Sequence, residues 1–214
     1  MKKLCITLSA LAVCLASCKK EEKSSTEDGV VKDTIAVEEP APQQPMDSVA
    51  MAQAWEAYMT PGDMHKMMAD EEGRWNCDMT FWMTPDSPPE KHTSGCEIKM
   101  ILGGRYQHST YSGDMGGMPF EGVGTLAYNN TTNEFTSTWI DNMGTGMMVL
   151  TGTYNNSTRT TTLTGNMMDP VTKNEKKVRE TYEAVDENTR KMQMFETPKG
   201  GEEYKMMEIV MTRK

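Results

Sequence analysis

The chain has 214 residues, a formal net charge of −9 and 25% charged residues. This length allows one domain of ordinary size with its own core. An acidic protein is poorly suited to binding nucleic acid or to docking by charge on anionic lipid, because both need a positive surface.

The first residues, MKKLCITLSALAVCLASC, are typical of an export signal. Two lysines precede an apolar run over 4–16 that is too short to span a bilayer as a stable helix. The run ends at Leu15-Ala16-Ser17-Cys18, which resembles the bacterial lipobox, whose cysteine becomes the lipidated first residue. We predict a signal peptide over 1–17 and lipid on Cys18, with an ordinary signal peptide and an incidental cysteine as the alternative. Loss of the two lysines changes the formal charge from −9 to −11.

Residues 18–46 carry frequent charges and prolines, few apolar side chains and no aromatic ring. Such a segment cannot bury enough apolar surface to fold, so we predict a flexible tether. Its start, Cys18-Lys19-Lys20-Glu21-Glu22, resembles the lysine-then-acidic signal that sends some Bacteroidetes-type lipoproteins to the outer face of the outer membrane. This predicts a lipid-anchored outer-membrane protein, facing the periplasm or the cell surface. A solvated charge run is the alternative.

A short helical segment is predicted over 47–72. Asp47 or Ser48 can cap a first helix. This helix ends before Pro61, because a proline disfavours helical conformation at the residue that precedes it. Apolar residues at helical spacing continue over a second, shorter helix.

From Gly73 onward, apolar and polar residues alternate with a period of two. Turn residues such as Gly, Pro and Asn separate the alternating runs. Short strands joined by short loops predict an all-β fold over 73–214, an antiparallel meander of about ten strands that closes into a barrel and so removes its exposed edges. The ten runs are 74–83, 94–102, 105–112, 120–128, 134–141, 146–154, 159–166, 176–185, 190–196 and 202–213.

Two cysteines, Cys77 and Cys96, remain after loss of the signal peptide and lipidation of Cys18. They lie equally far from the middle of the Pro-rich turn of the first hairpin. An even pair in an exported chain favours a disulfide, here across that hairpin. Two buried thiols at unsuitable geometry are the alternative.

Several different short motifs lie between residue 61 and residue 214. They are Pro61-Gly62-Asp63-Met64-His65, Gly73-Arg74-Trp75, Leu102-Gly103-Gly104-Arg105-Tyr106, Gly117-Met118-Pro119-Phe120-Glu121-Gly122, Ser137-Thr138-Trp139-Ile140-Asp141, Gly144-Thr145-Gly146-Met147, Asp169-Pro170, Met207-Glu208-Ile209 and Thr212-Arg213-Lys214. As a set they resemble a bacterial family known as a domain of unknown function, number fifteen seventy-nine, over roughly 60–214. That family implies no established activity.

The Gly-x-Trp opening at Gly73 is also similar to the first strand of calycin-type barrels, the lipocalins and their relatives. This resemblance implies a lipocalin-like barrel in which Trp75 plugs the closed end. It further implies that a basic residue of the last strand, Arg213, packs on the indole as a structural cation–π pair.

No motif for nucleophilic hydrolysis or for a zinc protease is present. We predict no catalytic residue, and an enzyme is the least favoured reading. Many of the 22 methionines replace aliphatic residues at strand positions, which indicates core filling more than a copper site. Haem-binding relatives of the calycins use a late histidine, and this sequence has none after His108. We therefore predict neither a metal nor a cofactor.

The favoured function is non-catalytic binding of a small hydrophobic or amphipathic ligand inside the barrel. A structural or interaction lipoprotein with a filled barrel is the alternative. The predicted partners are a membrane, through the lipid, and the ligand, but not nucleic acid; the oligomeric state is left open. A carboxylate such as Glu208 needs a partner if it is partly buried, and we expect Arg105 in that role, either in a binding site or in a structural ion pair. The candidate ligand-binding residues are Trp82, Arg105, Tyr128, Trp139, Asp141 and Glu208.

Overall fold

A computed structural model describes residues 47–214. The predicted signal peptide, the lipidation site at Cys18 and the tether lie outside the described residues. Two helices come first, α1 over Ser48–Met59 and α2 over Asp63–Ala69. The Asp47 carboxylate caps α1 by accepting a hydrogen bond from the backbone N–H of Val49 at 3.3 Å. Neither described helix is long and apolar enough to cross a membrane.

Ten strands follow, each within a few residues of a predicted run. They are β1 (Gly73–Phe81), β2 (Glu90–Ile101), β3 (Tyr106–Asp114), β4 (Pro119–Asn129), β5 (Glu134–Asp141), β6 (Met148–Asn155), β7 (Thr160–Met168), β8 (Glu175–Ala184), β9 (Thr189–Thr197) and β10 (Tyr204–Arg213). Each strand pairs antiparallel with its neighbours in the chain, and β1 pairs with β10. The predicted all-β antiparallel barrel with a short helical segment before it is therefore confirmed.

The two ends of the barrel differ. The second helix lies at the end where β1 begins and β10 finishes. Its Met68 is 1% exposed and packs against Phe135 and Leu150 in the interior. The Gln107 amide donates to the backbone carbonyl of Met68 at 2.9 Å. This end is therefore closed by the helix, and only loops between strands surround the other end.

Alternation in β1 places an apolar row inside the barrel. Trp75, Cys77 and Met79 are all buried, and Phe81 packs against the same cluster. Met83, two residues past Phe81, is 70% exposed. The inward row of this strand therefore ends with Phe81.

Trp75 belongs to the closed end. Its indole N–H donates to the backbone carbonyl of Glu71 at 3.0 Å. The guanidinium carbon of Arg213, the residue expected to cover this ring, lies 4.3 Å from the ring centroid, and that of Arg190 lies 5.2 Å from it. Arg213 also donates to the backbone carbonyls of Glu72 and Asp70, so it fixes the chain between α2 and β1.

The two cysteines do not face each other as predicted. Cys77 lies opposite Ser94, and Cys96 lies opposite Trp75, so the register differs by two residues from a hairpin centred on the Pro-rich turn. Both side chains point inward as buried free thiols on neighbouring strands. The thiols contact each other, and this contact together with burial raises the pKa of Cys96.

Candidate functional site

A cavity of about 910 Å³ occupies the barrel interior. Its floor includes Met68 and Glu71, and its mouth includes Met143 and Met147 of the loop between β5 and β6. This volume lies in the range of about 300–1,000 Å³ that is usual for small-molecule sites. The barrel is therefore hollow along much of its length.

Methionine dominates the apolar wall. Thioether side chains are flexible and polarizable, so they adapt to irregular apolar shapes. Several come from facing positions of β9 and β10, where Met194 lies opposite Met207 and Met192 lies opposite Ile209. The methionines that line the cavity are Met67, Met68, Met79, Met83, Met115, Met143, Met147, Met148, Met167, Met168, Met192, Met194, Met206, Met207 and Met211.

An aromatic group forms another part of the wall. The Trp139 ring lies edge-on to Tyr111, with centroids 5.2 Å apart, and stacks near Phe120 at 6.4 Å. A side-chain carbon at Gly122 would lie 2.5 Å from the Trp139 ring, so only glycine leaves room for the indole here. The indole N–H donates to the Asp141 carboxylate at 2.7 Å, which fixes the ring orientation.

Glu180 brings a carboxylate to the middle of this apolar interior. It lies opposite Leu163 on β7 and opposite Met194 on β9. The accessible part of its side chain faces the cavity. Burial raises the pKa of Glu180 to about 7, and within residues 47–214 no donor or cation bonds to the carboxylate.

A second carboxylate, Glu71, lies at the floor and is fully paired. Arg190 Nε donates to it at 2.8 Å, and the Tyr182 hydroxyl donates to it at 3.0 Å. Burial, followed by the neighbouring Glu71 charge, raises the pKa of Tyr182 well above its ordinary value. This network closes the floor of the cavity, and the Arg190 guanidinium neutralises the Glu71 carboxylate.

Exposed methionines surround the mouth. Met147 and Met168, from two different sides of the opening, are 62% and 60% exposed. Met83, Met118 and Met143 are exposed as well. The cavity thus continues into an apolar rim at the end opposite α2.

The family described as a protein of unknown function, DUF1579, matches residues 60–213. The chain belongs to the DUF1579 family. No curated protein matches it.

Solved structures similar to this DUF1579 chain include Rv2717c from M. tuberculosis, at 13% identity and a TM-score of 0.54, covering 72% of this chain and 99% of that one. A redesigned β-barrel is 10% identical, with a TM-score of 0.39, and covers 69% of this chain and 94% of that one. A DUF3598 protein of unknown function from Nostoc punctiforme is 12% identical, with a TM-score of 0.34, and covers 68% of this chain and 48% of that one. At these identities the likeness to Rv2717c shows the fold alone.

Two of the six candidate ligand-binding residues line the cavity of this DUF1579 barrel. Trp139 forms part of the wall, and Asp141 lies near the mouth, where it also accepts the backbone N–H of Met143 at 2.9 Å. Both belong to the motif at 137–141, and both lie on β5.

Three of the candidates lie elsewhere. Trp82 follows β1 and packs under the Lys205 ammonium at 4.5 Å. Arg105, in the loop between β2 and β3, donates to the backbone carbonyl of Met59 at 2.8 Å. The Tyr128 ring lies at the closed end, 5.8 Å from His65. None of these three is among the residues that line the cavity.

The predicted pairing of Glu208 with Arg105 is wrong. Glu208 lies on the outer face of β10, where Lys205 binds it at 2.9 Å and Lys191 at 3.5 Å. Partial burial by itself raises the pKa of Glu208, but hydrogen bonds from Lys205 and Gln193 bring it below its ordinary value. Glu208 alternates with the buried residues Ile209 and Met211, so it points away from the interior.

Sequence reasoning missed Glu180. The alternation in β8 contained the signal, because Val178, Glu180, Tyr182 and Ala184 share one face. A glutamate in a row with valine and tyrosine is easily assigned to the solvent face by its charge alone.

An enzyme site would need polar side chains such as those of His108, Asp141, Arg105 and Glu208 to meet in one cleft, and they do not. His108 lies on β3 next to Ser109, and only Ser109 of the two lines the cavity. Asp141 lies at the mouth, Arg105 at the closed end and Glu208 on the outer wall. Among residues 47–214, no group of three or more histidine, cysteine or acidic side chains could hold a metal ion.

Proposed function

We propose that this DUF1579 barrel binds a small hydrophobic or amphipathic molecule. The observation that carries the proposal is the cavity of about 910 Å³ inside a methionine wall. Apolar pockets with a few oriented polar groups are the usual form of small-molecule sites. The cavity offers such groups in Glu180 and in the Trp139–Asp141 pair.

Shape and chemistry support an adaptable site. Methionine side chains rearrange with little strain, so a methionine wall suits ligands of varied outline. Burial of an apolar ligand gains about 25 cal/mol per Å² of surface removed from water. The exposed methionines at the rim extend this apolar surface to the opening, which favours entry of a ligand at that end.

A structural lipoprotein with a filled barrel is the second candidate function. A cavity of this volume argues against it, because a barrel that serves only as a rigid body gains stability from a packed interior. The scatter of His108, Arg105 and Glu208 gives the enzyme interpretation no assembled site.

The sequence supports placing this barrel at the cell envelope. The export signal over 1–17, the lipobox ending in Cys18 and the polar segment 18–46 together favour a lipid anchor in the outer membrane followed by a tether. The acidic charge argues that the lipid, and not a basic surface, would hold the protein there.

Native mass spectrometry of the protein purified from its own host tests the binding proposal. The expected result is a population heavier than the lipidated chain by the mass of a small organic molecule that organic solvent removes. A single mass equal to that of the chain, together with no binding of apolar probes, would contradict the proposal. Replacing Cys18 with alanine tests the anchor separately: the variant should leave the membrane fraction.

A further inference from the structure

Glu180 is a carboxylate in the apolar interior of the cavity to which, within residues 47–214, no donor or cation bonds. Across the strands, Leu163, Glu180, Met194, Met207 and Phe81 face one another as a continuous row on the inner wall. Four members of this row are apolar. A carboxylate in such surroundings loses its hydration and gains nothing in return unless a partner binds it.

The other charged or titratable groups on the inner faces of β8 and β9 already have partners. Lys176 binds Glu196 at 2.5 Å, and the Tyr204 hydroxyl donates to the same carboxylate at 2.6 Å. Arg190 is held by Glu71. The Tyr182 hydroxyl also donates to Glu71, so it is not available to Glu180.

The remaining charge of the lining is acidic. Glu180, Asp141 and Glu90 line the cavity, and Glu71 is neutralised by Arg190. Two basic side chains line the cavity as well. The His92 ring lies 5.9 Å from the Phe81 ring, and the Arg159 guanidinium donates to the backbone carbonyl of Val185 at 2.7 Å, at the closed end. No lysine from residues 47–214 lines the cavity. An anionic ligand would therefore meet repulsion near the middle of the cavity, where a cation would be attracted.

We propose that Glu180 is the polar anchor of the cavity and that its ligand is a hydrophobic amine. The ammonium group would pair with this carboxylate, and the apolar body would lie against Met194, Met207 and Leu163. This inference rests on the proposed binding function and adds the chemical class of the ligand. A charge-assisted hydrogen bond between apolar side chains is stronger than a hydrogen bond between neutral groups. Such a site would therefore select an amine.

The pH dependence of binding follows from the same group. Because burial raises the pKa of Glu180 to about 7, the empty site gains its negative charge between about pH 6 and 8. An alkyl ammonium ion keeps its charge over that range. Affinity for an amine should therefore rise with pH. A neutral ligand that accepts a hydrogen bond from the protonated carboxyl should lose affinity over the same range.

Isothermal titration calorimetry with three ligands of equal chain length tests the inference. We suggest n-decylamine, n-decanol and n-decanoate, titrated into the full-length chain at pH 8. The amine should bind at least about tenfold more tightly than the other two, and Glu180→Gln should remove this preference. Glu183→Gln is the matched control, since Glu183 lies on the same strand but on the exposed face and does not line the cavity.

The outcomes separate the two proposals. Equal binding of the alcohol and the amine, or a preference that survives in Glu180→Gln, would overturn the amine inference and leave the binding function standing. Failure of all three ligands to bind would overturn both. An amine affinity that falls between pH 6 and 8 would also contradict the assigned role of Glu180.

Discussion

Arg190 Nε donates to Glu71 Oε1 at 2.8 Å, with both side chains buried at the closed end of the barrel. Glu71 belongs to the link between α2 and β1, and Arg190 belongs to β9, so this ion pair joins distant parts of the chain. The Tyr182 hydroxyl binds the same carboxylate. The helix that closes the barrel is therefore fixed by charge as well as by the apolar contact of Met68.

Replacing Glu71 with alanine should destabilise the protein strongly. The change leaves the Arg190 charge buried without its counter-ion, which typically costs about 3–5 kcal/mol. Urea unfolding followed by circular dichroism measures the free energy of unfolding. Asp63→Asn is the control, because it breaks an exposed pair with Lys66 whose attraction is weakened by solvent screening. An equal loss of unfolding free energy in the two variants would contradict the stronger stabilisation expected from the buried pair.

The free energy of unfolding of the wild-type protein should depend on pH because of Glu180. Its pKa is raised from 4.5 to about 7, so between these values the folded state keeps a proton that the unfolded state has lost. The unfolded state binds fewer protons there, and stability falls as pH rises from about 4.5 to 7. At about 1.4 kcal/mol per pKa unit, the decrease due to this group reaches about 3 kcal/mol at most.

The comparison of Glu180→Gln with wild type isolates this contribution, because the other titrating groups are common to both proteins. Urea unfolding at intervals from pH 4.5 to 8 should show the variant gaining stability relative to wild type as pH rises. Glu183→Gln should show no such trend. A difference between Glu180→Gln and wild type that stays constant with pH would contradict the raised pKa.

Replacing Gly122 with alanine should disturb the aromatic wall. The new methyl group would lie 2.5 Å from the Trp139 ring, so the indole must move and its hydrogen bond to Asp141 must weaken. Overpacking of this kind costs about 1–3 kcal/mol. Near-UV circular dichroism and urea unfolding report the change. Gly146→Ala, where nothing lies within 4 Å, should shift stability by no more than about 0.5 kcal/mol.

Cys77 and Cys96 should be modified as two separate thiols. Burial of both side chains should make alkylation slow in the folded protein. After denaturation without reductant, alkylation followed by peptide mapping should find the label on both cysteines. Recovery of the two peptides joined by a disulfide would contradict the free thiols of the structure and would support the pairing favoured by the sequence.

The period-two pattern was sufficient to predict the ten strands, because one buried face and one solvated face leave a strong alternation. The register of the first hairpin was not predictable in the same way. Phe81 pairs with Glu90, so the pairing is centred one residue before the middle of the Pro-rich segment.

The site was less predictable than the fold. Trp139 and Asp141 could be found because their strand alternates regularly. Glu208 does not line the cavity, because it alternates with the buried residues Ile209 and Met211 and so lies on the outer face of β10. Glu180 was missed because only the closed sheet shows that Leu163 and Met194 surround it on both sides.

We propose above that the interior of the barrel binds an apolar ligand. Titration with the uncharged fluorescent probe N-phenyl-1-naphthylamine tests it most directly, with Ser137→Phe as the variant that fills the cavity. Ser137 lines the cavity, and its neighbour Thr136 does not, so Thr136→Phe is the matched control. We expect saturable binding that Ser137→Phe weakens by about tenfold or more and Thr136→Phe leaves unchanged. No saturable binding, or equal affinity in wild type and Ser137→Phe, would contradict it.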